Sequence, residues 1–302
     1  VHVLVIGGAN MDYKARLQKD ARLKECNPGR VDAFYGGVGR NIAENLGRLH
    51  VPTAFFGVCG EDAHGRALEG HLKRLGIAVY GPKSEKSSVF MAVVENDGDM
   101  MIGVSDMEGM KKITPESLRR YDKDIRKAEA LVLECNLPED ALHHIFETYG
   151  EKTFYVDGVS AAKVPKIRPY LSRIHTLKLT ERETHELCGD IGDLNDKVSW
   201  CLKQGVQRVF VSMGERGFLY QSHEGTRFVK ALNVNVSETS GAGDALMAGI
   251  VYADFHQIDP VPYALAASAL AVQSDSTVNP KMSPEALEKI LKEYDYDRFR
   301  HS

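Results

Sequence analysis

The chain has 302 residues, 43% hydrophobic and 26% charged, with 38 basic against 42 acidic side chains and a formal net charge of -4. That is ordinary globular composition, long enough for one large domain or two small ones, with a core that needs no disulfide or metal. The interspersed charges leave no basic face for nucleic acid, and no apolar run of about 18 residues is present to form a membrane span. Five cysteines (Cys26, Cys59, Cys135, Cys188, Cys201) are scattered without C-x-x-C spacing, which suits free thiols in a reducing compartment. The opening run Val1–Ile6 lacks the basic flank and cleavage site of a signal peptide, so a cytoplasmic protein is expected.

In chain order, Val3–Ile6 is a short apolar strand. Residues Tyr13 to Tyr35 then break the rhythm with polar residues and the turn signal Asn27-Pro28-Gly29. A helix over Asn41–His50, a strand over Thr53–Val58 and a helix over Gly65–Leu75 follow. Ser88–Glu95 and Met100–Val104 flank Asn96-Asp97-Gly98-Asp99, and Asp-Gly between alternating runs predicts a hairpin. Strands are predicted at Ala130–Cys135, Thr153–Val156, His175–Leu177 and Arg208–Ser212, with helices at Glu139–Tyr149, Asp196–Gln204, Ala242–Phe255 and Tyr263–Ser274. This alternation predicts an α/β domain with a mostly parallel sheet, which binds ligands beyond the carboxyl ends of its strands. The two interrupting segments predict one small sheet projecting from that domain.

Three segments carry chemistry. Ser240-Gly241-Ala242-Gly243-Asp244 opens an apolar helix. A helix start offers unpaired N–H groups and a positive dipole end, and the glycines let backbone approach an anion. The N–H groups of Ala242 and Gly243 suit a transferring phosphoryl group, and Asp244 in the first turn suits a base for an attacking hydroxyl. By itself such a segment is more often an acid favoured in a first turn, with glycines for packing. Gly36-Gly37-Val38-Gly39-Arg40-Asn41 also precedes a helix, and Asn41 offers both donor and acceptor to sugar hydroxyls. Its G-G-x-G spacing lacks the third glycine of a dinucleotide fingerprint; a structural turn is the equal alternative. Asp12, in the segment Gly7–Asp12 at the carboxyl end of the first strand, can grip two vicinal hydroxyls, though by itself such an acid is more often a loop residue that caps backbone. Ser212, Gly214 and Gly217 form a turn that either follows nucleotide phosphates or connects strands. No G-x-x-x-x-G-K-[ST] loop and no protein-kinase set is present.

Together, Gly8-Ala9-Asn10-Met11-Asp12, Gly36–Ala43 and Ser240–Asp244 resemble the ribokinase-like (phosphofructokinase-B type) kinases of sugars and nucleosides, in order and spacing, over nearly the whole chain. Cys26–Arg30, Ser105-Asp106-Met107, Asp157–Lys163 and Ile174–Lys178 are most similar to its nucleoside kinases. The resemblance implies one domain, residues 1–302, with a three-layer α/β/α core and a β-sheet lid from residues 13–35 and 87–105. It implies ATP and Mg²⁺, a nucleoside substrate, Asp244 as base, and Gly241, Ala242 and Gly243 as anion hole. Asn10, Asp12, Gly36, Gly37, Arg40, Asn41 and Asn136 would contact substrate, with Ser105, Asp106 and Lys163 at its base end. Lys178, Ser212, Gly214 and Gly217 would contact ATP, and Glu183 would order Mg²⁺ through water. A K⁺ site would draw on Glu238, Ser240 and carbonyls between Ser274 and Pro280, and a homodimer would pair through the lids. Three departures stand out: Thr180 replaces the Asn of the family's Asn-x-x-Glu, Glu238 replaces an Asp, and Leu246 replaces a Phe. A silent nucleoside sensor would not need both the base and the anion hole, and a dinucleotide oxidoreductase is disfavoured by the glycine spacing.

Overall fold

Four consecutive apolar residues, Val3-Leu4-Val5-Ile6, can leave neither face to water. In the computed structural model, which describes residues 2–95 and 100–294, they form a central strand buried on both sides. Val3 and Val5 pack into the core on one face of the sheet, Leu4 and Ile6 into the core on the other. The sheet has nine strands in the order Gly225–Val229, Phe218–Ser222, Arg208–Ser212, Thr176–Thr180, Thr153–Asp157, Ala130–Glu134, Val3–Ile6, Thr53–Phe56, Ala78–Tyr80. All pairings are parallel except the two that attach Phe218–Ser222 and Gly225–Val229.

The connectivity locates the site. From Val3–Ile6 the chain works outward through Thr53–Phe56 and Ala78–Tyr80, then returns to the opposite side at Ala130–Glu134. The switch point therefore lies between the carboxyl ends of Val3–Ile6 and Ala130–Glu134, where open α/β sheets leave a crevice. This is the expected α/β architecture. Several predicted elements shift: the first helix spans Val38–Arg48 and the last predicted one Pro260–Ala271. Strands Phe218–Ser222 and Gly225–Val229 and helices Glu181–Cys188 and Pro284–Glu293 were not predicted. No helix of the described residues is long and apolar enough to cross a membrane.

A separate four-stranded sheet has the order Gly29–Gly36, Asn10–Leu17, Ser88–Val94, Met100–Asp106. The predicted hairpin strands pair antiparallel; their turn, residues 96–99, lies outside the described residues. Asn10 and Asp12 lie on a strand and not in a loop. After Gly7–Ala9 the chain leaves the core and enters this sheet, where Asn10 pairs with Gly36 and Ser88, and Asp12 with Phe34 and Phe90.

The helix Ala242–Phe255 is apolar on all sides, so it must be covered, and it packs against Val38–Arg48 and Pro260–Ala271. Its predicted bounds hold. It starts from Gly241 at φ 81, where a Cβ would stand 1.9 Å from the Thr277 carbonyl oxygen. Gly241→Ala is expected to lower stability by on the order of 1–3 kcal/mol through left-handed backbone strain, before any shift of the Thr277 loop. Urea unfolding measures it, and wild-type stability in the variant contradicts this reading.

Candidate active site

Asp244 sits in the first turn of that helix, only 8% exposed, facing a cleft of about 1160 Å³. The Asn41 amide Nδ2 donates to Asp244 Oδ2 at 2.7 Å. Arg40 donates to Asn41 Oδ1, which fixes the amide with its NH₂ toward Asp244. Burial raises the Asp244 carboxyl most, and the nearby Asp157 charge raises it further. Lys178, Asn41 and Arg40 pull the other way, and the outcome is about 7. A carboxylate poised near neutrality is suited to accepting a proton.

Arg40 was expected to touch substrate. It is 1% exposed, and its guanidinium is committed to the protein. Nε donates to the Gly36 carbonyl (3.2 Å), Nη1 to Glu44 (2.5 Å), and Nη2 to Thr277 Oγ1 (3.0 Å), to the Tyr35 carbonyl and to Asn41. It therefore positions the end of the Gly29–Gly36 strand and the Asn41 amide.

Lys178 lies mid-strand in Thr176–Thr180, paired with Asp157, with its ammonium 3.0 Å from Asp157 Oδ2 and reaching over Gly243. Burial lowers the lysine most, but Asp157, Glu183 and Asp244 outweigh it and keep the ammonium charged. Ser212, Gly214 and Gly217 line the same cleft, in a turn that also joins two strands. Glu183 is buried, 4% exposed. Its Oε2 accepts the Thr180 N–H (2.9 Å) while Thr180 Oγ1 accepts the Glu183 N–H (3.2 Å), so Thr180 caps the helix Glu181–Cys188. Ala242 N–H makes a long bond to the Thr239 carbonyl (3.3 Å); the next first-turn N–H groups have no acceptor within the helix.

On the other side of Asp244, Asp12 lies against Gly36, where any Cβ would overlap its carboxylate. Burial raises Asp12 to about 6 against the lowering pull of Asn10 and Arg40. Asn10 is 2% exposed and donates to Asp12. The Gly37 carbonyl accepts the Asn41 N–H at 2.8 Å. Lys163 donates to Asn136 Oδ1. Ser105 shares the Asp12–Phe90 row of the small sheet, so its side chain is on the Asp12 face. Asp106 pairs with Val89, one residue along, and falls on the opposite face. Its Oδ1 faces the Glu108 N–H (3.4 Å), so the structure does not bring Asp106 to the base end where it was expected. Glu238 Oε1 accepts from Thr239 N (3.0 Å), Ser240 N (3.3 Å) and Ser240 Oγ (3.2 Å).

Residues 2–284 match the model of the pfkB family of carbohydrate kinases. The chain belongs to that family. The pseudouridine kinase of Escherichia coli K12 is 32% identical over 298 residues, 93% of this chain and 94% of that protein. A carbohydrate kinase from Agrobacterium tumefaciens superposes with a TM-score of 0.84 at 26% identity, covering 96% of this chain and 97% of its own. A provisionally named ribokinase II of E. coli, solved with ATP and Mg²⁺, has a TM-score of 0.85 at 16% identity over 97% and 99% of the two chains. The fold is ribokinase-like, and the protein is a phosphotransferase of this kinase family.

Two acids escaped the sequence reading. Asp157 ends one apolar strand and Glu134 another. Glu134 is wholly buried at the switch point. Its Oε1 accepts the Gly8 N–H and its Oε2 the Asn136 N–H, both at 2.7 Å. Burial raises it most, partly offset by those two bonds, to about 7. A charged residue closing a buried parallel strand was the available signal.

The kinase's kcat/KM is expected to fall as pH drops below about 7, where first Asp244 and then Asp12 become protonated. Asp157→Asn removes a charge that raises Asp244, so the acidic limb is expected to move down by roughly one pH unit. A limb that stays put or moves up contradicts the coupling. Glu134→Gln leaves a donor amide facing one of two N–H groups. It is expected to raise KM for the phosphoryl acceptor about tenfold while leaving KM for ATP within about twofold. Equal changes in both would count against local positioning.

Proposed function

We propose that this kinase transfers the γ-phosphoryl group of ATP to the 5′-hydroxyl of pseudouridine, giving pseudouridine 5′-phosphate and ADP. The observation that carries the chemistry is the buried Asp244, held by Asn41 at the start of a helix whose first residues, with Gly241 before them, line the cleft. The nucleoside assignment is supported by the likeness to the E. coli pseudouridine kinase across both chains. It is supported too by the strings around Cys26–Arg30 and Asp157–Lys163.

Asp244 accepts the hydroxyl proton as that oxygen bonds to the γ-phosphorus, and the bond from phosphorus to the β–γ bridging oxygen breaks. Gly241, Ala242 and Gly243 shape the anion hole, and the Lys178 ammonium faces the same phosphoryl oxygens. Such catalysis is mostly positioning and charge stabilisation. Asp12, with Asn10, takes the ribose hydroxyls, beside Gly36, Gly37 and Asn41. Asn136, Lys163 and Ser105 line the base end. Ser212, Gly214 and Gly217 border the ATP phosphates, while Leu232, Val236 and Leu265 give the cleft an apolar end for adenine.

Among the described residues no cluster of three or more histidines, cysteines and acids forms a metal cage. Buried Glu183 and Asp157 beside the cleft fit an ion that keeps its waters and takes phosphate oxygens, as Mg²⁺ does. When bound, Mg²⁺ would supply charge neutralisation on the ATP phosphates, and Glu183 is the residue that would hold it, through water.

The small sheet would act as the lid. Its outer face carries exposed Val31, Met91, Ile102 and Val104, which supports pairing of two copies through the lids in a cytoplasmic homodimer.

With Mg-ATP, purified protein is expected to phosphorylate pseudouridine at least about a hundredfold faster, in kcat/KM, than uridine, adenosine or ribose. Asp244→Asn is expected to lose about a thousandfold or more in kcat with its circular dichroism spectrum intact. Preferred turnover of free ribose would sink the nucleoside assignment; near-normal turnover by the variant would sink the mechanism.

A further inference from the structure

We infer that the Lys14 ammonium stands in for the monovalent cation that the family resemblance implies, so that this kinase turns over without K⁺. The inference rests on the kinase chemistry proposed above but not on the choice of nucleoside.

The expected ion site centres on Glu238 and Ser240, just before the anion hole. In the structure Glu238 Oε2 pairs with Lys14 Nζ, which comes from the small sheet 224 residues away in sequence. Oε1 is occupied by the N–H groups of Thr239 and Ser240 and by Ser240 Oγ. Both carboxylate oxygens are thus engaged, and the negative charge is already matched by one cation. Burial favours protonation of Glu238, but Lys14 and the two loop N–H groups outweigh it and hold the carboxyl below its usual range. The pair is only part-exposed, at 28% for the lysine and 21% for the glutamate side chain. A potassium ion added here would meet the ammonium at short range, at a carboxylate whose two oxygens are already engaged. The residues therefore do not fit the ion.

The departure from Asp to Glu at position 238 has a physical consequence here. The longer side chain lets one carboxylate oxygen accept from Thr239 and Ser240 while the other reaches Lys14 on the small sheet. Lys14 is two residues beyond Asp12 on the same strand, hence on the same face. The strand that presents Asp12 to the substrate also delivers the cation that braces the segment before Gly241. Lys14 is a positioning residue: it touches Glu238, and acts on the anion hole through residues 238–240.

The test compares KCl with choline chloride at equal ionic strength. Wild-type kcat is expected to differ by less than about twofold, and wild-type Tm to be unchanged. Lys14→Met is expected to lose about tenfold in kcat in choline and to recover most of it in KCl or NH₄Cl, with a Tm that rises on adding K⁺. Lys14→Arg should retain wild-type independence. A wild type activated about tenfold by K⁺ overturns the inference without reliance on any variant; so does a Lys14→Met enzyme that K⁺ neither rescues nor stabilises. If no acceptor is phosphorylated at all, the kinase reading fails, and the Tm comparison still decides whether Lys14 fills an ion site.

Discussion

The proposed chemistry depends on burying one carboxylate. Asp244 is 8% exposed at the head of a helix that is apolar on every side. Burial and Asp157 push it toward neutrality, while Lys178, Asn41 and Arg40 hold it back. The cost of removing a charge from water is thereby converted into a proton affinity near physiological pH. The helix must be covered for its own apolar reasons, and covering it puts the Thr277 loop against Gly241 and the Val38–Arg48 helix against its first turns. Asn41 and Arg40 then arrive beside Asp244 as a consequence of packing.

A second buried carboxylate organises the acceptor side. Glu134 spans the switch point by accepting one N–H from each of the two loops that diverge there. One loop leads to Asn10 and Asp12, the other to Asn136. The small sheet is tied to the core by these loops and, on its far side, by Arg40 reaching the Tyr35 and Gly36 carbonyls and by Lys14 reaching Glu238. The strand that carries Asp12 and the segment before Gly241 are thus referred to one another by buried or half-buried polar contacts, which are costly to break singly.

Local patterns revealed one part of this arrangement and hid the other. The glycine-rich start of the Ala242–Phe255 helix was legible because a glycine run before a wholly apolar helix is visible in adjacent residues. The α/β alternation and the small sheet were legible for the same reason. Glu134, Asp157 and Lys14 were not, because each looks ordinary among its neighbours and acquires its partner from a distant element; Gly8 and Glu134 are 126 residues apart. Arg40 misled in the opposite direction. A cation inside a glycine string suggests a ligand contact, and only the fold reveals that nearby carbonyls, Glu44, Asn41 and Thr277 use its donors. Asp106 misled through register: one residue along a strand reverses the face.

The central claim is that Asp244 takes the proton from the attacking hydroxyl. The most direct measurement is a crystal structure of the protein with pseudouridine and a non-hydrolysable ATP analogue. The account predicts the 5′-oxygen within about 2.6–3.2 Å of an Asp244 carboxylate oxygen, with the γ-phosphorus analogue over the Gly241–Gly243 backbone. A 5′-oxygen bonded instead to Asp157 or Asp12, with Asp244 still tied to Asn41 and out of reach, would contradict it.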